Sequence, residues 1–472
     1  MDVVALIVCA EGVMNQVDST PQFNRRDFLK GGSLSSMAAL VGGTLVTAPE
    51  NVTAQESTKP IGPPVKFGVI GCGYHGREVV STLAVLPNAP VVALCDSYGA
   101  FLRRTGRSAP KAVKYEQYQD LLNDENVEAV IVCTPTHQHA QIVKDALAAG
   151  KHVYCEAPIS NSIEEARDIA IAARKHPRLY FQAGLQNRSD TQRHFLLDFV
   201  RTGAWGQTVQ TRAQWHKKVS WRKTAPTNKR EREINWRLDP KLTTGLIGEI
   251  GIHQIDAATW FLRKRPVGVR GFGSIIQWND GRTVPDTVQA VIEYPGSARM
   301  MQDLSLSNSF DGEHEIYYGT SGTLMVRGDK AWMFKETDAP ALGWEVYALK
   351  ETFHKENGIA LSADATKLTT VTGTKGSGEK ENKFTNTPLY YALEAFVHNS
   401  YVHRSGVDDF IVSFGDDDPE ALVEYLADLS DSKLPAADYQ IGYEATVTAL
   451  KINEAVVGGK EIAFEDSWFD LG

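Results

Sequence analysis

Val65-Lys66-Phe67-Gly68-Val69-Ile70-Gly71-Cys72-Gly73-Tyr74-His75-Gly76 is the stretch that decides the fold. Val65–Ile70 reads as a buried strand and His75–Leu86 as a helix, with a GxGxxG turn between them. Gly71 permits the tight turn. Gly73 lets the backbone approach a pyrophosphate, and Gly76 lets helix and strand pack closely. The helix N-terminus then offers free N–H groups and a positive dipole to phosphates. Tyr74 and His75, the variable positions of the turn, join the glycines as expected cofactor contacts. Asp96 follows Gly76 by twenty residues, at the end of the second strand. A carboxylate there accepts from a ribose hydroxyl and repels a 2′-phosphate, which favours NAD over NADP. Arg103 and Arg104 lie nearby and keep NADP open.

Outward from that turn, short apolar runs alternate with helix-length segments. Val91–Cys95, Ala129–Cys133, His152–Cys155 and Leu179–Ala183 read as strands; Tyr115–Leu122, His139–Ala149 and Ile163–Lys175 read as helices. Apolar strands alternating with helices mean a parallel sheet covered on both faces. The rhythm changes after residue 186. Thr208–Trp215, Val267–Trp278, Val288–Tyr294, Arg299–Leu306, Glu315–Tyr318 and Thr323–Val326 are alternating or aromatic runs, as in an antiparallel sheet with one exposed face. Helices Gly248–Leu262, Pro388–His398 and Tyr443–Val457 are expected to cover its other face, and 350–386 reads as a long surface loop. The expected fold class is therefore α/β. A Rossmann doubly wound parallel sheet spans 65–186, and a C-terminal α/β domain with an open, mostly antiparallel sheet spans 187–472.

The chain has 472 residues, 49 basic and 58 acidic, for a net charge of −9, and is 42% apolar. This composition excludes disorder, a collagen repeat and a disulfide-stapled miniprotein. The acidic balance argues against a general nucleic-acid or membrane-surface binder. Residues 1–54 read as an export signal: Arg25-Arg26 precede Phe28-Leu29, no charge occurs from Gly31 to Pro49, and Val52-Thr53-Ala54 offers small residues for cleavage. The pattern resembles a twin-arginine signal, with Asn24 where Ser or Thr is usual. Met14 is an alternative start. Gln55–Pro64 is a polar linker, and no later uncharged run reaches spanning length. A twin-arginine leader implies the twin-arginine machinery as a partner, a periplasmic or extracellular destination and export after folding. Outside the cytoplasm a cofactor must then be held tightly and recycled in place. Cys72, Cys95, Cys133 and Cys155 sit singly in apolar runs, as core residues do.

At strand ends, where a doubly wound sheet faces its ligand, stand Thr134-Pro135-Thr136-His137-Gln138-His139 and Cys155-Glu156-Ala157-Pro158. Thr134, Pro135, His139 and Glu156 are therefore expected at the cofactor crevice. A metal role for His137 and His139 lacks further ligands at a recognisable spacing. With Gly245-Leu246-Ile247-Gly248-Glu249-Ile250-Gly251-Ile252-His253-Gln254-Ile255-Asp256 and Gly319-Thr320-Ser321-Gly322, these segments resemble the glucose–fructose oxidoreductase/inositol dehydrogenase (Gfo/Idh/MocA) family over nearly all of 65–330.

That resemblance implies NAD(P)-dependent chemistry on secondary alcohols of sugars and cyclitols, by a Lys in an E-K-P motif plus an Asp and a His four residues apart. Here the lysine position is Ala157 and the aspartate position Glu249; only His253 matches. On a continuous helix Glu249, His253 and Asp256 share one stripe. His253 is the candidate base, because an imidazole titrates near working pH, with Glu249 or Asp256 orienting it. A plain helix-surface Glu–His pair is the competing reading. Lys217, Lys218, Arg188 or His216 could replace the lysine. Alternatively, the chemistry could be the redox-neutral route of NAD-dependent glycosidases that also lack it, or the protein could bind cofactor without turning over. Residues 217–237 carry eight basic and two acidic side chains among Trp215, Trp221 and Trp236, which reads as a substrate-cleft or subunit-contact loop, or as a solvated one. By analogy with the family, the open sheet could also support a homo-oligomer.

Overall fold

The computed structural model describes residues 62–201, 203–340, 350–353, 356–361 and 386–472. The expected leader and most of the linker lie outside them. Six parallel strands open the fold: β1 (Phe67–Ile70), β2 (Val91–Cys95), β3 (Val113–Tyr115), β4 (Ala129–Val132), β5 (His152–Cys155) and β6 (Phe181–Ala183), in the spatial order β3-β2-β1-β4-β5-β6. The order reverses between β1 and β4, which opens a crevice at the strands' carboxyl ends. Strands β1, β4 and β5 are buried at every residue, as apolar strands covered on both faces must be.

Helix α1 (Tyr74–Leu83) packs Val79, Val80 and Leu83 against Phe67, Val69 and Ile131. A later helix, α9 (Pro388–Phe414), joins this same core through Leu389, Ala392, Leu393 and Phe396. That spacing is one helical face, and the Phe396 ring meets Phe67 and Tyr154 at 5.7 and 5.6 Å. The helix expected on the second sheet therefore covers the first. An apolar stripe says that a helix is buried, but not against what.

Among the described residues the second sheet has ten strands, in the order β14 (Lys350–Phe353), β15 (Glu356–Ala360), β13 (Lys330–Lys335), β12 (Gly322–Arg327), β11 (Glu313–Gly319), β7 (Thr208–His216), β10 (Arg299–Ser305), β9 (Thr287–Glu293), β8 (Gly268–Ser274) and β16 (Glu461–Ala463). Its centre is β7 (Thr208–His216), with β10 (Arg299–Ser305) parallel to it on one side and β11 (Glu313–Gly319) antiparallel on the other. Strand β9 (Thr287–Glu293) shows the expected alternation: Val288, Ala290 and Ile292 are buried and their neighbours are not. Helices α8 (Ile252–Leu262) and α11 (Tyr439–Gly458) cover the buried face. Phe272, Val291 and Met301 stand exposed on the other. The stretch expected as a loop from 350 contributes a hairpin instead, β14 (Lys350–Phe353) with β15 (Glu356–Ala360), docked on β13 (Lys330–Lys335). Lys350–Phe353 and Glu356–Ala360 are largely polar, which suits an edge strand as well as a loop, and pairing with a neighbour decides between them. No described helix is long and apolar enough to cross a membrane.

Candidate active site

Each fingerprint glycine has its own physical cause. Gly71 sits at φ +96°, and a Cβ there would lie 2.7 Å from the Cys133 carbonyl. At Gly76 a Cβ would lie 1.8 Å from the Gly71 oxygen, so helix and turn approach as only glycine allows. A Cβ on Gly73 would meet nothing within 4 Å: this backbone faces the open crevice. Tyr74 lies exposed at its rim. Asp96 is fixed by the Cys72 and Tyr98 N–H groups, which donate to it at 2.8 and 2.7 Å. Burial lifts its carboxyl above the usual range while those two donors oppose the shift.

On the β4 side, the Thr134 hydroxyl is buried with no hydrogen-bond partner, and Pro135 leads into the short turn Thr136–Gln138. The buried His139 ring spans the Thr134 carbonyl at 2.9 Å and the Pro158 carbonyl at 3.1 Å. Two carbonyls face its two nitrogens and burial favours the neutral ring, so it can donate to only one of them. His139 thus ties two crevice loops together, and its ring points into backbone. The open Gly73 backbone, the Asp96 acceptor and the orphaned Thr134 hydroxyl together fit a bound dinucleotide.

Glu156, at the end of β5, meets His75 from the first turn of α1, with Oε1 2.7 Å from Nε2. The Glu156 charge beside it pushes the His75 imidazole up to about 10, so at neutral pH the ring is protonated. Glu78 is a further neighbour at 3.7 Å. The pair stands next to Ala157, where the family lysine would be.

The expected catalytic stripe is broken. Ile247–Gly251 forms a π-helical turn, and α-helical geometry begins only at Ile252. Gly248 lies against Thr244, whose hydroxyl oxygen is 2.1 Å from where a Cβ would be. Glu249, inside the π turn, does not meet His253. It accepts from the Thr244 hydroxyl at 2.9 Å, from Arg237 Nε at 3.1 Å and from the Thr136 hydroxyl of the first domain at 3.3 Å. Asp256 is buried and takes the fork of Arg188, with Nε and Nη2 at 2.8 and 2.7 Å. Arg188 in turn lies 5.1 Å over the Trp260 ring. Neither carboxylate hydrogen-bonds the His253 ring, so neither has the orienting role expected of it. Among the described residues no group hydrogen-bonds that ring, while the Asn187 amide donates to the residue's carbonyl at 3.2 Å. Burial pushes the His253 imidazole down, with the charges of Glu156 and Asp256 opposing. The ring is neutral at working pH.

Of the cations that could replace the lysine, Arg188 is committed to Asp256, and His216 stands 3.3 Å from Asp303. The Lys217 charge helps lower the Glu78 carboxyl and opposes the rise that burial gives Glu313. Sequence reasoning missed Arg237, which lies 4.5 Å over Trp236 and 5.7 Å over Trp221 beside Glu249. Only the basic–aromatic run 217–237 signalled it. Cys72, Cys95 and Cys155 are buried free thiols and Cys133 is half-buried; burial raises all four. Among the described residues no three His, Cys, Asp or Glu side chains are grouped to hold a metal.

Two family models match. Residues 65–184 match the oxidoreductase family with NAD-binding Rossmann fold of the Gfo/Idh/MocA group, and residues 196–325 match its C-terminal domain. An uncharacterized oxidoreductase of Bacillus subtilis, YrbE, is 28% identical over 54% of this chain and 72% of its own length. Inositol 2-dehydrogenase of Salmonella typhimurium is 29% identical over 42% of this chain and 55% of its own. Glycosyl hydrolase family 109 protein 2 of a Shewanella species is 28% identical over 42% and 47%. The chain thus spans about half the length of the last two. Among solved structures, an oxidoreductase domain protein from Kribbella flavida superposes with a TM-score of 0.63 at 18% identity, over 86% of this chain and all of that one. Levoglucosan dehydrogenase in complex with NADH and L-sorbose gives 0.61 at 15%, over 86% and 100%. At these identities the superpositions speak for the fold.

Proposed function

The chain belongs to the Gfo/Idh/MocA family of NAD-binding oxidoreductases, and from that premise we propose that it oxidises or reduces a secondary hydroxyl of a sugar or glycoside, using a cofactor it keeps through turnover. The observation that carries this reading is the opposed state of two histidines at the crevice. Environments that push two titratable groups apart assign an acid and a base. His253, held neutral by burial, takes the hydroxyl proton when the alcohol is oxidised. His75, held protonated by Glu156, presents a charged donor beside Ala157. The His75–Glu156 pair is net neutral, so it supplies a proton and a hydrogen bond in place of the lysine's free charge. NAD, when bound, supplies the hydride acceptor. Trp221, half-buried beside Arg237, offers an indole against which a sugar ring can stack, whereas Trp236 is buried.

The proposal includes export by the twin-arginine machinery to the periplasm or beyond, read from residues 24–54, and a homo-oligomer formed through the open sheet face. Export supplies the reason for retention: a cofactor lost outside the cytoplasm has no pool from which to be replaced. A second reading keeps the same site but ends redox-neutral, with a glycoside oxidised, cleaved or epimerised, and re-reduced on one cofactor. Ala157 in place of lysine favours it, as does similarity to a family 109 glycosyl hydrolase. The test is incubation with alkyl and aryl glycosides, following 3-keto sugar, free aglycone and nicotinamide absorbance together. Keto sugar with reduced cofactor supports the dehydrogenase. Aglycone without net reduction supports the second reading. Neither product, with His253→Gln indistinguishable from wild type, overturns both and leaves a non-catalytic NAD-binding protein.

A further inference from the structure

Val219 and Trp221 of the basic–aromatic run 217–237 pack against the larger core, and hydrogen bonds pin the rest of the run. At its start Trp221 sits at φ +59°, a left-handed conformation that a bulky residue rarely adopts. That strain persists because the flanks are pinned. Arg282, from the second domain, donates to the Ser220 carbonyl at 2.6 Å and to Asp280 at 2.6 and 2.8 Å. Arg222 reaches the same Asp280 at 2.8 Å. Lys223 and Asn235 close the run into a loop by reciprocal hydrogen bonds, at 2.7 Å from the Lys223 N–H and at 2.8 Å to its carbonyl. Between them Thr227 caps the short helix α7 (Asn228–Ile234).

One side chain of this loop points across the crevice. Arg230 lies flat on the first domain, with its guanidinium carbon 4.1 Å over the Tyr98 ring and 5.2 Å over Phe101. Its Nε is buried with no hydrogen-bond partner. Tyr98 is two residues past Asp96, and its N–H already braces that carboxylate. Around this contact is a cavity of about 230 Å³, walled by Tyr98, Phe101 and Arg104 on one side and by Thr224, Pro226 and Arg230 on the other.

We propose that residues 217–237 are a clasp on the dinucleotide: Arg230 closes against Tyr98 and Phe101 over the adenosine end. The clasp rests on the reading of the crevice as an NAD site and deepens it, because it gives the retained cofactor a physical latch. Release then requires the Arg230–Tyr98 contact to break first. A desolvated cation–π contact corresponds to roughly a tenfold change in rate or more.

The test measures cofactor release from the full-length protein, independently of turnover. Wild type, Arg230→Ala, Tyr98→Ala and the double variant are loaded with NAD. Each is freed of excess by rapid desalting, and bound nucleotide is assayed over time after acid release. The clasp predicts that wild type retains its cofactor through desalting and dilution. It predicts that each single variant at 98 or 230 loses it about tenfold faster, and that the double variant is little faster than either single. Variants in opposite domains guard against one misfolding, and melting temperatures check both. Release at the wild-type rate from folded Arg230→Ala and Tyr98→Ala overturns the clasp while leaving the NAD site intact. Failure of wild type to bind NAD overturns the site and the clasp together.

Discussion

Asp256→Asn separates a structural carboxylate from a catalytic one. Asp256 is 3% exposed and holds the Arg188 guanidinium by two hydrogen bonds, at 2.8 and 2.7 Å. Arg188 keeps only 15% of its side-chain surface. Neutralising one member of a buried pair strands the other charge, at about 3–5 kcal/mol. Asparagine preserves shape and one acceptor oxygen, which places this case near ~3 kcal/mol. At roughly 2 °C per kcal/mol for a large chain, the melting temperature should fall by about 6 °C. Arg188→Gln should cost a similar amount. The double variant should lose less than the sum, by a coupling of at least ~1.5 kcal/mol. Denaturant and thermal unfolding of the three variants, with steady-state kinetics on the same samples, complete the cycle. An Asp256→Asn protein with wild-type stability and a collapsed kcat would refute the assignment and return Asp256 to the chemistry beside His253.

His253→Gln should lower kcat by about 10²–10⁴-fold, the range for losing a positioned base, while NAD affinity by titration stays unchanged. Gly76→Ala should abolish NAD binding, because its methyl would lie 1.8 Å from the Gly71 oxygen; a nucleotide-binding titration checks it. Activity should rise on an acid limb below pH 6.5, where the lowered His253 becomes neutral, and fall only near pH 10, where His75 deprotonates. Glu156→Gln removes the charge that raises His75, so a pH–rate profile should show the alkaline limb moving down by pH units. Remote from the site, burial pushes His152 down to about 3 and His403 to about 4. Both rings stay neutral in the fold and protonate more readily when unfolded. Their contribution is therefore present above pH 6.5 and lost as pH falls toward 4 and then 3, at roughly 3–5 kcal/mol per ring. His403→Gln should flatten stability measured by urea unfolding across that window.

The residues between Val65 and Ala183 marked β1, β2, β4, β5 and β6 of the first sheet and its dinucleotide turn by themselves. GxGxxG, Asp96 at its spacing and the alternation of apolar strands with helices are local patterns, and each glycine does what its local geometry demands. Local spacing also marked His75, Glu156 and His253 as residues of interest. It could not say that His75 and Glu156 form a pair, since they are eighty-one residues apart. Nor could it see that a π turn removes Glu249 from the His253 stripe, because that irregularity answers to the close approach of Thr244 at Gly248. Asp256 was legible only as an acid on the His253 stripe, read as orienting that ring; its partner, Arg188, comes from the short turn Gln186–Arg188, in another part of the chain. The same limit applies to the helix at Pro388, whose stripe was plain while its destination was not, and to Arg230, a loop arginine in sequence that the fold lays on Tyr98. Sequence determines what each segment is by itself. Which charges meet, and which of them therefore hold or lose a proton, is decided only when distant segments exclude water from the space between them.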